Sequence, residues 1–137
     1  MRRKFLVLGL PLLWNWILGL PPAWADPSSE AVRQTIREYI VGQENLQGAF
    51  VIVDEQSGKF RQLTFVRVQE QVGKIGNYFY SCTEMSDVET GASLDLDFDM
   101  EEVNGKLRVV DIRIHKDNGK LRYTYDENDN IIPALGR

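Results

Sequence analysis

Chemistry in this chain would have to run through a single histidine and a single cysteine, His115 and Cys82. A catalytic triad, a metalloprotease site or a multi-histidine zinc site would have to find all its other partners among carboxylates. No H-E-x-x-H, G-x-S-x-G, C-x-x-C or P-loop spacing occurs. His115 reads first as a rim residue at the end of a strand, with general-base work as the alternative. Cys82 falls in phase with Tyr78 and Tyr80 and reads as a small hydrophobe inside a strand. A reactive thiol, or a dimer through Cys82, is the alternative, because an exported thiol is exposed to oxidation. The sequence assigns no catalytic residue, no metal ligand and no cofactor.

Acidic residues give the stronger pattern. Between Lys74 and Lys106 there is no basic residue, yet Glu84, Asp87, Glu89, Asp95, Asp97, Asp99, Glu101 and Glu102 all fall there. Asp95, Asp97, Asp99 and Glu101 alternate with Leu94, Leu96, Phe98 and Met100, which places the four acids on one face of a strand. Neighbours on that face stand roughly 7 Å apart, too far to share one ion, and calcium wants about six to eight converging oxygens. The row is expected to face solvent, partly neutralised by Arg108 and Arg113 across a hairpin. A surface for a basic protein partner is the alternative. Asp126-Glu127-Asn128-Asp129-Asn130 imitates the start of a calcium loop, but Ile131 and Arg137 stand where Gly and Glu are needed.

Tyr78, Tyr80, Tyr123 and Tyr125 are in phase within two strands. They predict either core beneath a helix or, with His115, an aromatic-walled pocket.

The elements that must position these residues are one helix and a series of hairpins. Asp26-Pro27-Ser28-Ser29 with Glu30 is a helix start, and Ala31, Val32, Ile36, Tyr39 and Ile40 form its apolar stripe. The helix is predicted over about Ser29 to Val41, stopping at Gly42. From Gly48 onward the pattern is β: a short run to Asp54, a turn at residues 56–59, a strand from Phe60, a connection at residues 73–77, then strands from Tyr78, Leu94, Leu107 and Leu121. Asn104-Gly105 is a strong hairpin signal because both residues tolerate positive φ. Leu107 and Val109 are out of phase with Val110, Ile112 and Ile114, so a β-bulge near Val109-Val110 is predicted to bring both sets to the core. The fold class is therefore α+β: one N-terminal helix packed on an antiparallel meander of about five or six strands. A polar tail follows from about residue 126.

Ahead of that domain, Arg2, Arg3 and Lys4 precede an apolar run over residues 5–20, Pro21-Pro22 and Ala23-Trp24-Ala25. These are the three regions of an export signal, with cleavage expected before Asp26. The expected product is one domain over residues 26–137, periplasmic or secreted, with no stable membrane anchor after cleavage. The chain's net charge is -4, and losing the leader removes three cations. That acidity argues against nucleic-acid binding.

The helix followed by a hairpin ending Val53-Asp54-Glu55-Gln56-Ser57-Gly58-Lys59 resembles the PepSY type of small exported domain, where a strand ends in an Asp and a Gly-Lys turn. Ile114-His115-Lys116-Asp117-Asn118-Gly119-Lys120 repeats the feature. The acidic strand and the two middle strands depart from that pattern, and the overall order is also similar to cystatin-like rolls. Either resemblance implies a non-catalytic exported module that binds or inhibits another protein, and neither carries specific functional residues onto this chain. The alternative is a small-ligand-binding protein or enzyme of cystatin or NTF2-like type, using the tyrosine-lined pocket.

Overall fold

The computed structural model describes residues 25–134, so the leader expected over residues 1–25 lies outside them apart from Ala25. Helix α1 (Ser29–Gln47) begins where the hydroxyl of Ser28 accepts from the Ala31 N–H at 3.1 Å. Val32, Ile36 and Ile40, spaced by four, make its buried stripe. It does not stop at Gly42. One interior glycine costs only about 1 kcal/mol relative to alanine, and the helix runs on to Gly48. There, φ of 81° supplies a left-handed cap and the Gly48 N–H donates to the Glu44 carbonyl at 2.8 Å.

Six antiparallel strands follow in sequence order across one sheet: β1 (Phe50–Val53), β2 (Phe60–Ile75), β3 (Tyr78–Asp87), β4 (Ser93–Val103), β5 (Lys106–Asp117) and β6 (Lys120–Leu121). The fold is α+β, as the alternating patterns predict. Helix α1 packs into one face of this sheet, against Phe50, Leu63, Met85, Leu94, Leu96, Phe98 and Met100. The Phe50 and Phe98 rings stack at 6.2 Å, and Tyr39 meets both edge-on. Each apolar side chain buried there contributes on the order of 1.5–3 kcal/mol. Among the described residues, no helix is long and apolar enough to cross a membrane.

Strand β5 carries the bulge its phase slip requires. Asp99 pairs with Asp111 but Met100 pairs with Val109, leaving Val110 as the extra residue. Leu107, Val109, Ile112 and Ile114 all join the core, whereas Val110, expected to be buried, is 42% exposed. The bulge absorbs the slip by ejecting one residue, and that residue is Val110. A second bulge lies between the pairs Leu96–Ile114 and Asp95–Lys116, with His115 as the extra residue. It lets His115 and Lys116 both serve the face opposite the helix.

The C-terminal segment departs furthest from expectation. The predicted final strand breaks at Arg122, and the chain then forms a separate hairpin of β7 (Tyr123–Tyr125) and β8 (Ile131–Pro133). Residues 126–130, expected as the start of a polar tail, are its turn. The Asp126 carboxylate accepts from the N–H groups of Asn128 and Asn130, each at 2.8 Å, and from the Asn130 side chain at 2.9 Å. The oxygens that imitate a calcium loop are thus partly spent on closing a hairpin. This hairpin lies against the outer face of the sheet, the face away from α1.

Three turns at one end of the sheet are tied together by two arginines. Asp54 and Asp87 each cap their own turn, accepting from Gln56 and from Glu89 and Thr90. Arg122 grips Asp54 with two bonds, at 2.7 and 2.9 Å, and Asp117 with a third at 2.7 Å. Arg61 joins Asp87 and Asp117, each at 2.7 Å. Asp54 follows β1 and Arg122 follows β6, so these ion pairs link the two edges of the open sheet through side chains.

Candidate functional site

The acids of β4 do share one face, but that face is not open. Lys116 reaches Asp95 at 3.5 Å, Arg113 reaches Asp99 at 2.7 Å, and Arg108 donates to Glu101 at 2.8 Å. Asp97 is the exception: Arg113 is its cross-strand partner but turns to Asp99, so among the described residues no lysine or arginine forms an ion pair with Asp97, and only 2% of its surface is exposed. The expectation that Asp95, Asp97 and Asp99 point to solvent is therefore corrected. Period-2 alternation says which residues share a face, and it says nothing of what covers that face. Here the cover is the hairpin of residues 123–133.

The covering tyrosines make Asp97 the centre of a cluster. Tyr123 and Tyr125 donate their hydroxyls to Asp97 Oδ2 at 2.7 and 3.0 Å. His115 stacks on the Tyr123 ring, with centroids 4.9 Å apart, and its Nδ1 stands 3.6 Å from Asp97 Oδ1. That separation is too long for a hydrogen bond. Cys82 is the cross-strand partner of Asp97, and donor atoms of Cys82, Asp97 and His115 all lie within 4.8 Å of one another. Tyr80 approaches Tyr125 at 6.1 Å. So the structure gathers Tyr80, Tyr123, Tyr125 and His115 on the outer face, away from the core under the helix. Tyr78, in phase with them, stands at the strand end opposite Glu101, 46% exposed, and is not part of the group.

Beside this cluster opens a cleft of about 460 Å³, lined by Tyr80, Tyr125, Cys82, Asp97, His115 and Lys116 on one side and by residues 69 and 71–73 of β2 on the other. The β2 wall is a widened bulge: Val68 pairs with Thr83 and Val72 with Ser81, so β2 spends more residues than β3. From the helix side the Ser81 hydroxyl donates to the Gln71 carbonyl at 2.9 Å, and Arg33 donates to the Glu70 carbonyl at 3.0 Å. Gly73 belongs to β2, not to a connection, and pairs directly with Tyr80. A Cβ at Gly73 would fall 2.2 Å from the Tyr80 ring. Only glycine lets that ring lie across β2.

At the centre of the site is a buried carboxylate held by two tyrosine hydroxyls, with Arg113 near those hydroxyls and Lys116 at the cleft. Burial, then the charge on Asp97, pushes the Cys82 thiol up to about 12. The same two causes push Tyr125 up to about 12 and raise Tyr80. Tyr123 is raised further, by burial and then by its bond to Asp97. Burial also raises Asp99, against the pull of Arg113. A thiol held protonated is a poor nucleophile, even with an imidazole nearby.

Sequence reasoning grouped His115 with the tyrosines as a pocket, but kept Cys82 and the acidic row with Asp97 apart from it. Arg108 and Arg113 neutralise part of the row as expected, at Glu101 and Asp99; what the sequence reading missed is the role of Gly73 and the Asp54–Arg122–Asp117 network. The repeated Asp-x-x-x-Gly spacing, Asp54 to Gly58 and Asp87 to Gly91, was the signal that could have exposed the turn network. Comparison with family models, with curated proteins and with solved structures found no match to this chain.

Proposed function

We propose that this protein is an exported, non-catalytic binding module that recognises a partner through the cleft on the outer face of its sheet. The observation that carries this reading is the division of labour between the faces. The helix-facing side is filled by side chains such as Val32, Ile36, Phe50, Leu96 and Phe98, each no more than 2% exposed. The outer face instead holds a cleft with convergent polar groups. The resemblance to small exported PepSY-like modules rests on the Asp54 and Asp117 turns and that to cystatin-like modules on the element order, and the basic leader with its small-x-small site supports export.

The test is capture from the exported fraction of the native host, using the protein and its Tyr80→Ala variant side by side. A partner retained by the protein and lost with Tyr80→Ala supports the reading. Identical capture by both would contradict it. A second reading is favoured by the cleft's size, which falls within the roughly 300–1,000 Å³ of small-ligand sites. In that reading the tyrosines and His115 hold a small molecule, and a small ligand competing for the cleft would show it.

A further inference from the structure

We infer that Cys82, Asp97 and His115 form a binding site for a divalent transition-metal ion, zinc(II), with the fourth coordination position open to the outer-face cleft. The inference rests on the cleft being the binding face and names the chemistry of what it takes.

Three donor types converge from three places: Cys82 Sγ from β3, an Asp97 oxygen from β4 and an imidazole nitrogen of His115 from the bulge in β5. Thiolate, imidazole and carboxylate together suit zinc, whereas calcium and magnesium demand oxygen donors in greater number. The edge of a tetrahedron around zinc is roughly 3.3–3.6 Å. His115 Nδ1 and Asp97 Oδ1 already stand 3.6 Å apart, the spacing of two ligands rather than of a hydrogen-bonded pair. All three donors lie within 4.8 Å of one another, so side-chain closure of about 1 Å completes the set.

A second, independent observation is the support behind Asp97. Its side chain is 3% exposed and, among the described residues, makes no ion pair with a lysine or arginine, because Arg113 opposite it on β5 is taken by Asp99, whereas Asp95, Asp99 and Glu101 along the same strand each have one. Burying a carboxylate without a cation is costly. Tyr123 and Tyr125 fix Oδ2 and leave Oδ1 turned to His115, as outer hydrogen bonds orient a metal ligand. The Tyr123 ring holds the imidazole by stacking. On binding, zinc forms a bond to the Cys82 sulfur, the S–H bond breaks, and its proton passes to solvent.

Titration of the protein with zinc by calorimetry, and with cobalt(II) as a spectroscopic probe, tests this. The expected result is one saturable site and a thiolate-to-cobalt charge-transfer band. Cys82→Ser should abolish that band, and Cys82→Ser and His115→Ala should each weaken zinc by at least roughly tenfold, the lower bound for disturbing a metal's ligand environment. Tyr123→Phe should weaken zinc by about 10–100-fold while keeping the band. Glu127→Gln, at an exposed acid of the hairpin turn, should bind like the parent. Metal-free melting curves identify any variant that has lost its fold, and the Tyr123→Phe and cobalt measurements then carry the decision. No saturable zinc site, or equal binding in folded Cys82→Ser and His115→Ala, overturns the inference. Zinc failure with Tyr80-dependent partner capture intact would remove the metal and leave the binding-module reading standing.

Discussion

The protein buries carboxylates in two places and treats them in opposite ways. At the end of the sheet, Asp54, Asp87 and Asp117 are met by Arg61 and Arg122 through short, multiple bonds. Asp54 is held well below the usual carboxylate range, first by its bond to Arg122. On the outer face, Asp97 receives only neutral tyrosine hydroxyls and stands beside an unbonded imidazole and a thiol. In the first cluster every carboxylate has an arginine, and the ion pairs link the two edges of the sheet. The second has donors to spare and opens on a cleft. The carboxylates locked by arginines hold the turns together, and the one held by tyrosine hydroxyls lines the cleft.

Breaking the first cluster should have the largest effect. Arg122→Ala takes from buried Asp54 its two short bonds, leaves it only the 3.4 Å contact with Arg61 as an ion pair, and should cost about 3–5 kcal/mol in denaturant unfolding. Asp97→Asn keeps an acceptor for both tyrosines and should cost about 1 kcal/mol or less. Equal losses would erase the distinction between the clusters. The network also sets the acid limit of the fold. Asp54 and Asp87 are both lowered from 3.8, so the unfolded chain takes up protons first as pH falls. Their stabilisation is complete above 3.8 and is lost progressively below it, and melting temperature against pH should show that decline flattened in Arg122→Ala.

Smaller effects sharpen the second cluster. Tyr123→Phe removes one hydrogen bond to a buried charge and should cost about 1.5–3 kcal/mol. Gly73→Ala forces the Tyr80 ring off β2, with a loss of about 1–3 kcal/mol and a changed tyrosine near-ultraviolet dichroism. Arg108→Ala, which removes the exposed pair with Glu101, should cost no more than about 1 kcal/mol by chemical unfolding.

What the sequence disclosed follows from what is local. The Ser28 cap, the Val32–Ile36–Ile40 stripe and the Asn104-Gly105 turn, with φ of 53° and 76°, are written in neighbouring residues. The bulge at Val110 was legible because apolar residues on both sides of it changed phase. The bulge at His115 was not, because no apolar residue follows it in β5 to show the slip. Asp97, Cys82 and His115 lie on three strands, and the register that pairs Cys82 with Asp97 is a tertiary fact. The hairpin over residues 123–133 was hidden by strands of three residues each, too short to show alternation. With that cover unseen, the acidic face read as solvated.

The most direct test is a map of backbone amide chemical shifts during zinc titration. Saturable changes centred on Cys82, Asp97, His115 and residues 123–125, with the turns at Asp54, Asp87 and Asp117 unmoved, are the predicted result. Changes centred on those three turns, or no saturable change at all, would contradict the assignment of one cluster to architecture and the other to binding.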